Sequence, residues 1–313
     1  MSRHLFILNP AAGKKNRTEK IKAVISRLKI KEPYDIFVTD GERAAEKETE
    51  RYLREHSEDF VRVYACGGDG TLSEVANGIY ASGNTNCALA VVPVGSGNDF
   101  VKSLDIPPER FRNIKGLLDG DIVEVDILLA TDDEKRKRIS LNIISAGFDA
   151  AVANGQEKFK KLPLVSGSMA YNMSLVKCVF TDTKNYFDLK VDGEVYGKDE
   201  GPYLFAIAAN GRYYGGGFKA SPYSDISDGL LDFVRIKTVS KTRLLSLVGK
   251  FREGKHIDDY KEITSYTQCK TMQFLSEEYI DINLDGEIYP MKNPIISILP
   301  KAMKLVLPKK EEK

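Results

Sequence analysis

The chain has 313 residues, of which 42% are hydrophobic and 29% charged, as is typical of a globular protein. Forty-six basic and 45 acidic residues leave a net charge of +1, which gives no general attraction to nucleic acid, and we expect no nucleic-acid partner. No apolar stretch approaches the ~20 residues that a membrane-spanning helix needs. The length suits two domains with a substantial core.

The first predicted unit is a strand, a turn and a helix. Leu5 to Leu8 form a short strand that leads into the turn Asn9-Pro10-Ala11-Ala12-Gly13-Lys14. Asn16 and Glu19 have the spacing of a capping box at a helix start. Apolar residues then recur on one helical face, at Ile21, Val24, Ile25 and Leu28.

The most informative segment is Gly67-Gly68-Asp69-Gly70-Thr71, which follows an apolar run, Phe60 to Ala65, typical of a buried strand. Thr71 and Glu74 have capping-box spacing, so the sequence predicts that a helix begins at Thr71. The apolar face of that helix comprises Leu72, Val75, Ala76 and Ile79.

A strand, a glycine turn and a helix N-terminus together present backbone N–H groups and a positive dipole end to an anion. Asp69 would repel a phosphate at this place, unless a cation such as Mg²⁺ lies between the two. The segment therefore indicates phosphoryl chemistry, and a tight turn without a ligand is the alternative.

A third glycine turn, Gly95 to Phe100, follows the apolar run Ala88 to Val94. A strand over Tyr34–Thr39 and a charged helix around Arg43–Glu55 complete the alternation of strands and helices. Alternation of this kind predicts a parallel sheet with crossover helices. Each glycine turn follows the carboxyl end of a strand, where open α/β sheets bind ligands.

Beyond about residue 120 the pattern changes to short alternating strands, which predicts an antiparallel β sandwich. Two helices interrupt it, at Ser168–Phe180 and Lys241–Phe251. The predicted strands are Ile122–Leu129, Arg138–Ile144, Phe187–Val191, Leu204–Ala209, Leu231–Ile236, Tyr279–Asn283 and Ile295–Leu299.

Two triplets in this half have the same local pattern, Asp192-Gly193-Glu194 and Asp285-Gly286-Glu287. An Asp-Gly pair between alternating strands predicts a tight hairpin turn. The pattern alone does not decide whether either glutamate also has a catalytic role.

These segments resemble the diacylglycerol kinase catalytic family, and the chain is most similar to its soluble bacterial lipid kinases of the diacylglycerol and sphingosine kinase-like type. The resemblance covers nearly the whole chain in the expected order. It is carried by Asn9-Pro10, Gly67 to Gly78, Pro93 to Asp99, Asn142 to Asp149, Asn210 to Phe218, Asp228 to Asp232 and Asp285 to Glu287.

The resemblance implies an NAD kinase-like α/β domain over residues 1–122 and an all-β, sandwich-like substrate domain over residues 123–296. The C-terminal segment, from about residue 297 to residue 313, is expected to return to the first domain. It implies a lipid kinase that uses ATP and Mg²⁺ to phosphorylate a lipid hydroxyl, such as that of diacylglycerol. An NAD kinase-like enzyme and a catalytically silent nucleotide-binding regulator remain as alternatives.

The resemblance also assigns roles to individual residues. Glu287 is expected to act as the general base, and Asp69 to take part in catalysis. The expected nucleotide contacts are Asn9, Thr39, Gly67, Gly68, Asp69, Gly70, Thr71, Leu72, Ser73 and Ser96. Serine at position 96 replaces the threonine that is common in bacterial relatives but keeps the hydroxyl group.

A magnesium site in the second domain is expected at Asp225, Asp228 and Leu230, with Asp228 supplying a carboxylate and the other two supplying backbone oxygens. Asp126 matches another member of the same acidic network. Whether Asp69 or a carboxylate of the second domain holds the catalytic magnesium stays open.

A lipid substrate requires a peripheral, transient visit to the membrane, and we expect a cytoplasmic protein that acts at the inner membrane surface. Basic residues around an amphipathic helix over Lys241–Phe251 suggest one contact with anionic lipid, and an ordinary surface helix is the alternative. Exposed strands in the second domain would permit a homodimer. The identity of the lipid acceptor is not encoded in a readable way.

Overall fold

The computed structural model describes residues 1–13, 15–147, 184–196 and 201–309. The chain divides into two units: the first comprises Met1–Val125 and the chain from Lys301 onward, and the second comprises Asp126–Pro300. None of the helices in the described part of the chain combines the length and the apolar composition that a bilayer-spanning helix needs. The helix predicted over Ser168–Phe180 lies outside the described residues.

The first unit alternates strands and helices along the chain. Its strands are β1 (Ser2–Leu8), β2 (Tyr34–Val38), β3 (Phe60–Gly67) and β4 (Cys87–Pro93). Its helices are α1 (Thr18–Arg27), α2 (Ala44–Glu55), α3 (Asp69–Ser82), α4 (Asp99–Lys102) and α5 (Ile114–Leu118), with a short 3-10 helix at Arg110–Arg112.

The second unit consists mainly of strands. They are β5 (Asp121–Thr131), β6 (Lys137–Ser140), β7 (Ile143–Gly147), β8 (Asp188–Val191), β9 (Glu194–Tyr196), β10 (Tyr203–Ala209), β11 (Leu231–Lys237), β12 (Thr264–Cys269), β13 (Thr271–Leu275), β14 (Tyr279–Leu284), β15 (Glu287–Lys292) and β16 (Ile295–Leu307). The described helices of this unit are α6 (Lys241–Glu253) and α7 (His256–Asp259). Strand β5 begins in the first unit and β16 ends there.

The sheet of the first unit is parallel, in the order β2-β1-β3-β4. Strand β4 also pairs in parallel with Leu305 and Val306 of β16. Residues 5–8 of β1 and all of β4 are buried, as expected for strands that helices cover on both faces. The predicted α/β architecture is confirmed.

The second unit is a sandwich of two antiparallel layers, as predicted. One layer has the order β12-β11-β10-β7-β14-β15, and the other contains β9, β8, β13 and the first residues of β16. Apolar residues of both layers form one buried cluster that includes Phe233, Ile282, Met272 and Phe274, so the layers pack face to face. A second cluster packs α6 against the other side of the six-stranded layer.

The capping box predicted at Thr71 and Glu74 is wrong. Helix α3 begins at Asp69, and its N-cap residue, Gly68, makes no side-chain capping bond. The carboxylate of Glu74 instead accepts the N–H groups of Arg43 and Ala45, both at 3.0 Å, at the start of α2. Glu74 therefore caps a neighbouring helix, which a pattern within one segment does not show.

The capping box predicted at Asn16 and Glu19 does not form, because the hydrogen bond expected from Glu19 is absent. The side chain of Asn16 accepts the N–H of Thr18 at 2.9 Å, although the N-cap residue of α1 is Arg17, which makes no side-chain capping bond. Glu19 does not reach back to close the box, because its carboxylate pairs with Lys22 at 3.0 Å.

The single strand predicted over Arg138–Ile144 is divided into β6 and β7. The break falls at Leu141 and Asn142, whose N–H groups donate to the carboxylate of Asp285 rather than to a neighbouring strand. The N–H of Ile143 and the hydroxyl of Ser140 donate to the same carboxylate. A distant side chain thus interrupts a segment with continuous strand propensity.

Candidate active site

The three glycine turns of the first unit are in contact. Val94 and Gly95 donate their N–H groups to the carbonyl of Gly67, at 2.9 and 3.2 Å. A Cβ atom at Gly95 would lie 2.5 Å from the Cα of Gly68, and one at Gly13 would lie 2.5 Å from the carbonyl oxygen of Val94. Only residues without a side chain permit this approach, so the turns after β1, β3 and β4 form one edge.

Asn9 fastens the first turn to the second. Its backbone N–H donates to Cys66, and its side-chain amide donates to the hydroxyl of Thr71 at 2.9 Å. Its side-chain oxygen accepts the N–H of Ala11 at 2.9 Å. The structure therefore gives Asn9 and Thr71 a clear role in holding the turns together, whereas their predicted contact with a nucleotide stays a prediction.

The N-terminus of α3 lies at this edge. No side chain caps it, so the backbone N–H groups of its first turn are suited to an anion. The side chains of Leu72 and Ser73 are buried, which limits their predicted nucleotide contact to the backbone. Ser96 is exposed, while Thr39 is buried and donates its N–H to Leu8 at 2.9 Å.

Asp69 is oriented by the turn after β4. Its Oδ1 atom accepts the N–H of Asp99 at 2.7 Å. A Cβ atom at position 97 would lie 2.6 Å from Asp69 Oδ2, so Gly97 leaves space for the carboxylate. Asp99 is itself buried and forms an ion pair with Lys102 at 2.7 Å.

The pairing of Asp99 with Lys102 beside Asp69 was not among the sequence-based predictions. The available signal was their i, i+3 spacing directly after the third glycine turn, which places both on one face of a helical turn. The three side chains provide two carboxylates and one ammonium group at the edge formed by the turns.

The acidic loop of the second unit brings together the residues predicted to hold magnesium. Asp126 donates its N–H to Ile226 and accepts the N–H of Gly229, at 2.7 and 2.6 Å. Asp228 accepts the N–H of Leu230 at 2.9 Å and the side-chain amide of Gln268 at 3.1 Å.

Burial raises the pKa of Asp228, and the negative charges of Asp225 and Asp126 raise it further. A bound cation would offset this repulsion, and oxygen atoms are the ligands that Mg²⁺ prefers, so the residues fit the ion. Across the part of the chain that the structure describes, no group of three or more His, Cys, Asp or Glu side chains is arranged to hold a metal. The magnesium site expected from the sequence would use one carboxylate and two backbone oxygens, so it does not require such a group of side chains. It stays a prediction.

Both Asp-Gly pairs form hairpin turns. Asp192 and Gly193 have φ angles of 47° and 90°, and Asp285 and Gly286 have 52° and 98°. Two consecutive positive φ angles are typical of the type I′ turn that joins two strands tightly. The hairpin interpretation therefore holds for both triplets.

The two hairpins differ in the glutamate that follows the turn. Glu194 is exposed, whereas Glu287 is partly buried and accepts the hydroxyl of Tyr289 on its Oε2 atom at 2.6 Å. Burial raises the pKa of Asp285, and its four hydrogen bonds from residues 140–143 act in the opposite direction. Asp285 thus anchors the turn from which Glu287 projects.

The amphipathic helix considered for membrane contact turns its apolar side inward. Leu244, Leu247 and Phe251 of α6 are buried in the second cluster. Its basic residue Lys250 pairs with Asp259 at 2.7 Å. Leu245 is 63% exposed, so any contact with lipid through α6 would depend on its outer face.

Two family models match the chain. The first, described as the diacylglycerol kinase catalytic domain, matches residues 3–130, and the second, described as the YegS C-terminal NAD kinase beta sandwich-like domain, matches residues 142–307. Together they cover both units of the structure.

Relatives match over almost the whole chain. The protein named "Diacylglycerol kinase" from Bacillus subtilis is 25% identical over 314 residues, which is 99% of this chain and 98% of the relative. The protein named "Probable lipid kinase YegS" from Escherichia fergusonii is 30% identical over 310 residues, which is 97% of this chain and 95% of the relative. A crystal structure of a diacylglycerol kinase from Bacillus anthracis has the same fold, with a TM-score of 0.67 at 20% identity, and covers 97% of this chain and 96% of that chain.

The fold and the two matches define a phosphotransferase of the lipid kinase class. More narrowly, the chain belongs to the diacylglycerol kinase family and combines its catalytic domain with a YegS-type C-terminal domain.

Proposed function

We propose that the protein transfers the γ-phosphoryl group of ATP, with Mg²⁺, to a hydroxyl group of a lipid such as diacylglycerol. The observation that carries the proposal is the edge where three glycine turns meet at the uncapped N-terminus of α3, with Asp69 held there by the N–H of Asp99. Backbone N–H groups at such an edge suit phosphate oxygens. A carboxylate there requires a cation as partner, as a nucleotide–magnesium complex provides.

The reaction forms a bond between the lipid oxygen and the γ-phosphorus, and it breaks the bond from that phosphorus to the oxygen bridging to the β-phosphate. ADP leaves, and the proton of the lipid hydroxyl passes to Glu287 as the new bond forms. A positioned base of this kind typically accelerates the reaction by about 10²–10⁴-fold. Bound Mg²⁺ would neutralise charge on the phosphates, with Asp69 in the first unit and the loop of Asp225, Asp228 and Leu230 in the second as the residues suited to hold such ions.

The names of the relatives support a lipid as acceptor, since one is called a diacylglycerol kinase and another a lipid kinase. A lipid of this kind resides in a bilayer, so the enzyme would act at a membrane surface. Diacylglycerol is our first choice among lipids that carry a hydroxyl group beside an apolar tail.

The test measures transfer of labelled γ-phosphate from ATP to a panel of acceptors in mixed micelles, with Mg²⁺ or EDTA. The panel holds diacylglycerol, monoacylglycerol, phosphatidylglycerol, ceramide, sphingosine, a polyprenol and NAD. We expect a Mg²⁺-dependent lipid product that Glu287→Gln reduces by at least about 100-fold while ATP still binds. Labelled NADP, or no transfer to any acceptor, would contradict the proposal.

The chain offers a matched control for this substitution. Glu194 follows the other Asp-Gly turn at the equivalent position of its hairpin, and it is exposed. We expect Glu194→Gln to retain the activity of the wild-type protein. If the two variants lost equal phosphate-transfer activity, Glu287 would not be the general base.

A further inference from the structure

Alternate residues in and just before β6 reach the hairpin that carries Glu287. Arg136 donates to the carbonyl of Pro290 at 3.0 Å, Arg138 donates to the hydroxyl of Tyr289 at 3.3 Å, and Ser140 donates to Asp285 at 2.6 Å. Residues two apart on an extended chain lie on one face, so a single face of the chain at β6 supports the β14–β15 hairpin.

Tyr289 lies between Glu287 and Arg138. Glu287 and Tyr289 share one face of β15, and the tyrosine hydroxyl donates to Glu287 Oε2 at 2.6 Å. The guanidinium carbon of Arg138 lies 4.9 Å from the centre of the Tyr289 ring, which is a cation–π distance. The ring of Tyr289 is therefore held by Arg138 while its hydroxyl contacts the glutamate.

The polarity of this chain of hydrogen bonds is fixed by chemistry. A guanidinium group can only donate, so the oxygen of Tyr289 accepts from Arg138. A phenol has a single proton, which is then directed at Glu287. Glu287 thus receives a hydrogen bond that favours its ionised form, which is the form that a general base requires.

We propose that Tyr289, oriented by Arg138, is the positioning residue that holds the carboxylate of Glu287 in its reactive orientation. The proposal rests on the proposed role of Glu287 as general base. Tyr289 fixes the Oε2 atom, and the carboxylate then presents a defined direction to the lipid hydroxyl. In this proposal Tyr289 and Arg138 act through Glu287, with no direct part in the transfer of the phosphoryl group.

Tyr279 of the same hairpin has a similar pair of partners, a glutamate and an arginine. Tyr279 of β14 donates its hydroxyl to Glu134, and the guanidinium carbon of Arg136 lies 5.5 Å from the centre of the Tyr279 ring. Tyr279 and Glu134 are exposed, and Glu134 has no part in the proposed reaction. Tyr279→Phe therefore removes an equivalent phenol–glutamate hydrogen bond as a matched control.

The experiment compares Tyr289→Phe with Tyr279→Phe in the phosphate-transfer assay. Tyr289→Phe keeps the ring over Arg138 and removes only the hydroxyl group. We expect kcat to fall about 10- to 100-fold because the base is less well oriented, with KM for ATP unchanged. The acidic limb of the kcat–pH profile should move to higher pH, because the carboxylate loses a hydrogen bond to its charged form. Tyr279→Phe should match the wild type in both measurements.

Two further variants test whether Tyr289 acts through its partners. Arg138→Met should also lower kcat, as Tyr289→Phe does. Arg138→Lys, which keeps a hydrogen-bond donor, should lower kcat less than Arg138→Met does. In a Glu287→Gln background, Tyr289→Phe should have no further effect, because residues that act as a unit are not additive. An undiminished kcat in Tyr289→Phe, or an additive loss in the double variant, would overturn the proposal.

A measurement that does not require turnover can distinguish a failure of this proposal from a failure of the proposed function. The carboxyl carbon of Glu287, labelled with ¹³C and assigned by its absence in Glu287→Gln, can be titrated by NMR in wild type and Tyr289→Phe. A midpoint that moves to higher pH in Tyr289→Phe supports the hydrogen bond from Tyr289 even if no lipid is phosphorylated. An unchanged midpoint overturns it even if the enzyme is an active kinase.

Discussion

The carboxylate of Asp69 accepts a 2.7 Å hydrogen bond from the backbone N–H of Asp99. This bond joins the first residue of α3 to the first residue of α4, across the two turns that follow β3 and β4. Asp69 is thus oriented by backbone, while the Asp99 carboxylate is engaged by Lys102. An acceptor at position 69 preserves this hydrogen bond, whereas the proposed catalytic role of Asp69 also needs its charge.

Asp69→Asn separates the two requirements. The amide oxygen of asparagine can accept the N–H of Asp99, so we expect a melting temperature within a few degrees of the wild type. The lost charge should reduce kcat by about 100-fold or more, which is typical for removal of one electrostatic group at a reacting centre. Thermal melts and the phosphate-transfer assay measure the two effects. A variant that melts normally and transfers phosphate at the wild-type rate would exclude Asp69 from catalysis.

Gly95→Ala tests the contact between the glycine turns. The added Cβ would lie 2.5 Å from the Cα of Gly68, and backbone at both positions leaves little room to adjust. We expect a loss of about 1–3 kcal/mol in the free energy of unfolding, as overpacking usually causes. Binding of ATP should weaken as well, because the turns must separate.

Gly41→Ala is the control for this change, since a Cβ there would have no neighbour within 4 Å. We expect Gly41→Ala to have the stability and ATP affinity of the wild type. If both variants behaved alike in urea unfolding, the contact between Gly95 and Gly68 would not be the cause of the loss.

The sequence predicted the parts of the first unit better than the contacts between them. Apolar runs and helical spacing located β1 to β4 and α1 to α3 to within a few residues, because these patterns are local. The position of Glu74 on a helix was predictable, but its use as a cap for α2 was not, because 29 and 31 residues separate it from its donors. The contact between Gly68 and Gly95 was likewise not predictable from local patterns, because it depends on β3 and β4 being neighbours in the sheet.

The second unit shows the same limit at its candidate site residues. Asp285-Gly286 was predictable as a hairpin turn from two residues, and the structure confirms it. The division between β6 and β7 was not predictable, because it depends on hydrogen bonds to Asp285 from more than 140 residues earlier. The position of Tyr289 beside Glu287 needed only the alternation of side chains along a strand, and this signal was missed.

Asp285→Ala should be much more destabilising than the same change at Asp192. Loss of the Asp285 carboxylate leaves the N–H groups of residues 141–143 without their acceptor, and we expect about 3 kcal/mol or more. Asp192 accepts the N–H groups of Lys270 and Thr271 at an exposed turn, where water can replace it, so we expect about 1 kcal/mol. Urea unfolding of both variants checks the order, and equal losses would show that the two turns are equivalent.

Glu74→Ala tests the cap on α2. The variant removes the acceptor for two backbone N–H groups at the start of that helix, and we expect a loss of about 1–2 kcal/mol in the free energy of unfolding. Glu58→Ala, at an exposed glutamate beyond the other end of α2, should change stability by less than about 0.5 kcal/mol. If Glu74→Ala were as stable as Glu58→Ala, the cap would make no net contribution.

His256 links the stability of the second unit to pH. The ring is fully buried, and its Nε2 atom hydrogen-bonds the carbonyl of Ala220 at 3.1 Å, so this nitrogen carries the proton of the neutral ring. The Nδ1 atom has no hydrogen-bond partner among the described residues, and the ring packs 4.4 Å from that of Phe251. A second proton would place a charge in an apolar environment, and burial accordingly lowers the pKa of His256 to about 4.

Since the ordinary pKa of histidine is 6.5, the unfolded chain takes up this proton at a higher pH than the folded protein does. The contribution of His256 to stability is therefore complete above pH 6.5 and is lost as the pH falls towards 4. By linkage, about 2 kcal/mol should disappear between pH 7 and pH 5. His256→Gln keeps a donor for Ala220 but does not titrate, so the stability difference between wild type and variant should change by about that amount over this range. Urea unfolding at the two pH values measures the difference, and a constant difference would mean that His256 is protonated in the folded protein as readily as in the unfolded chain.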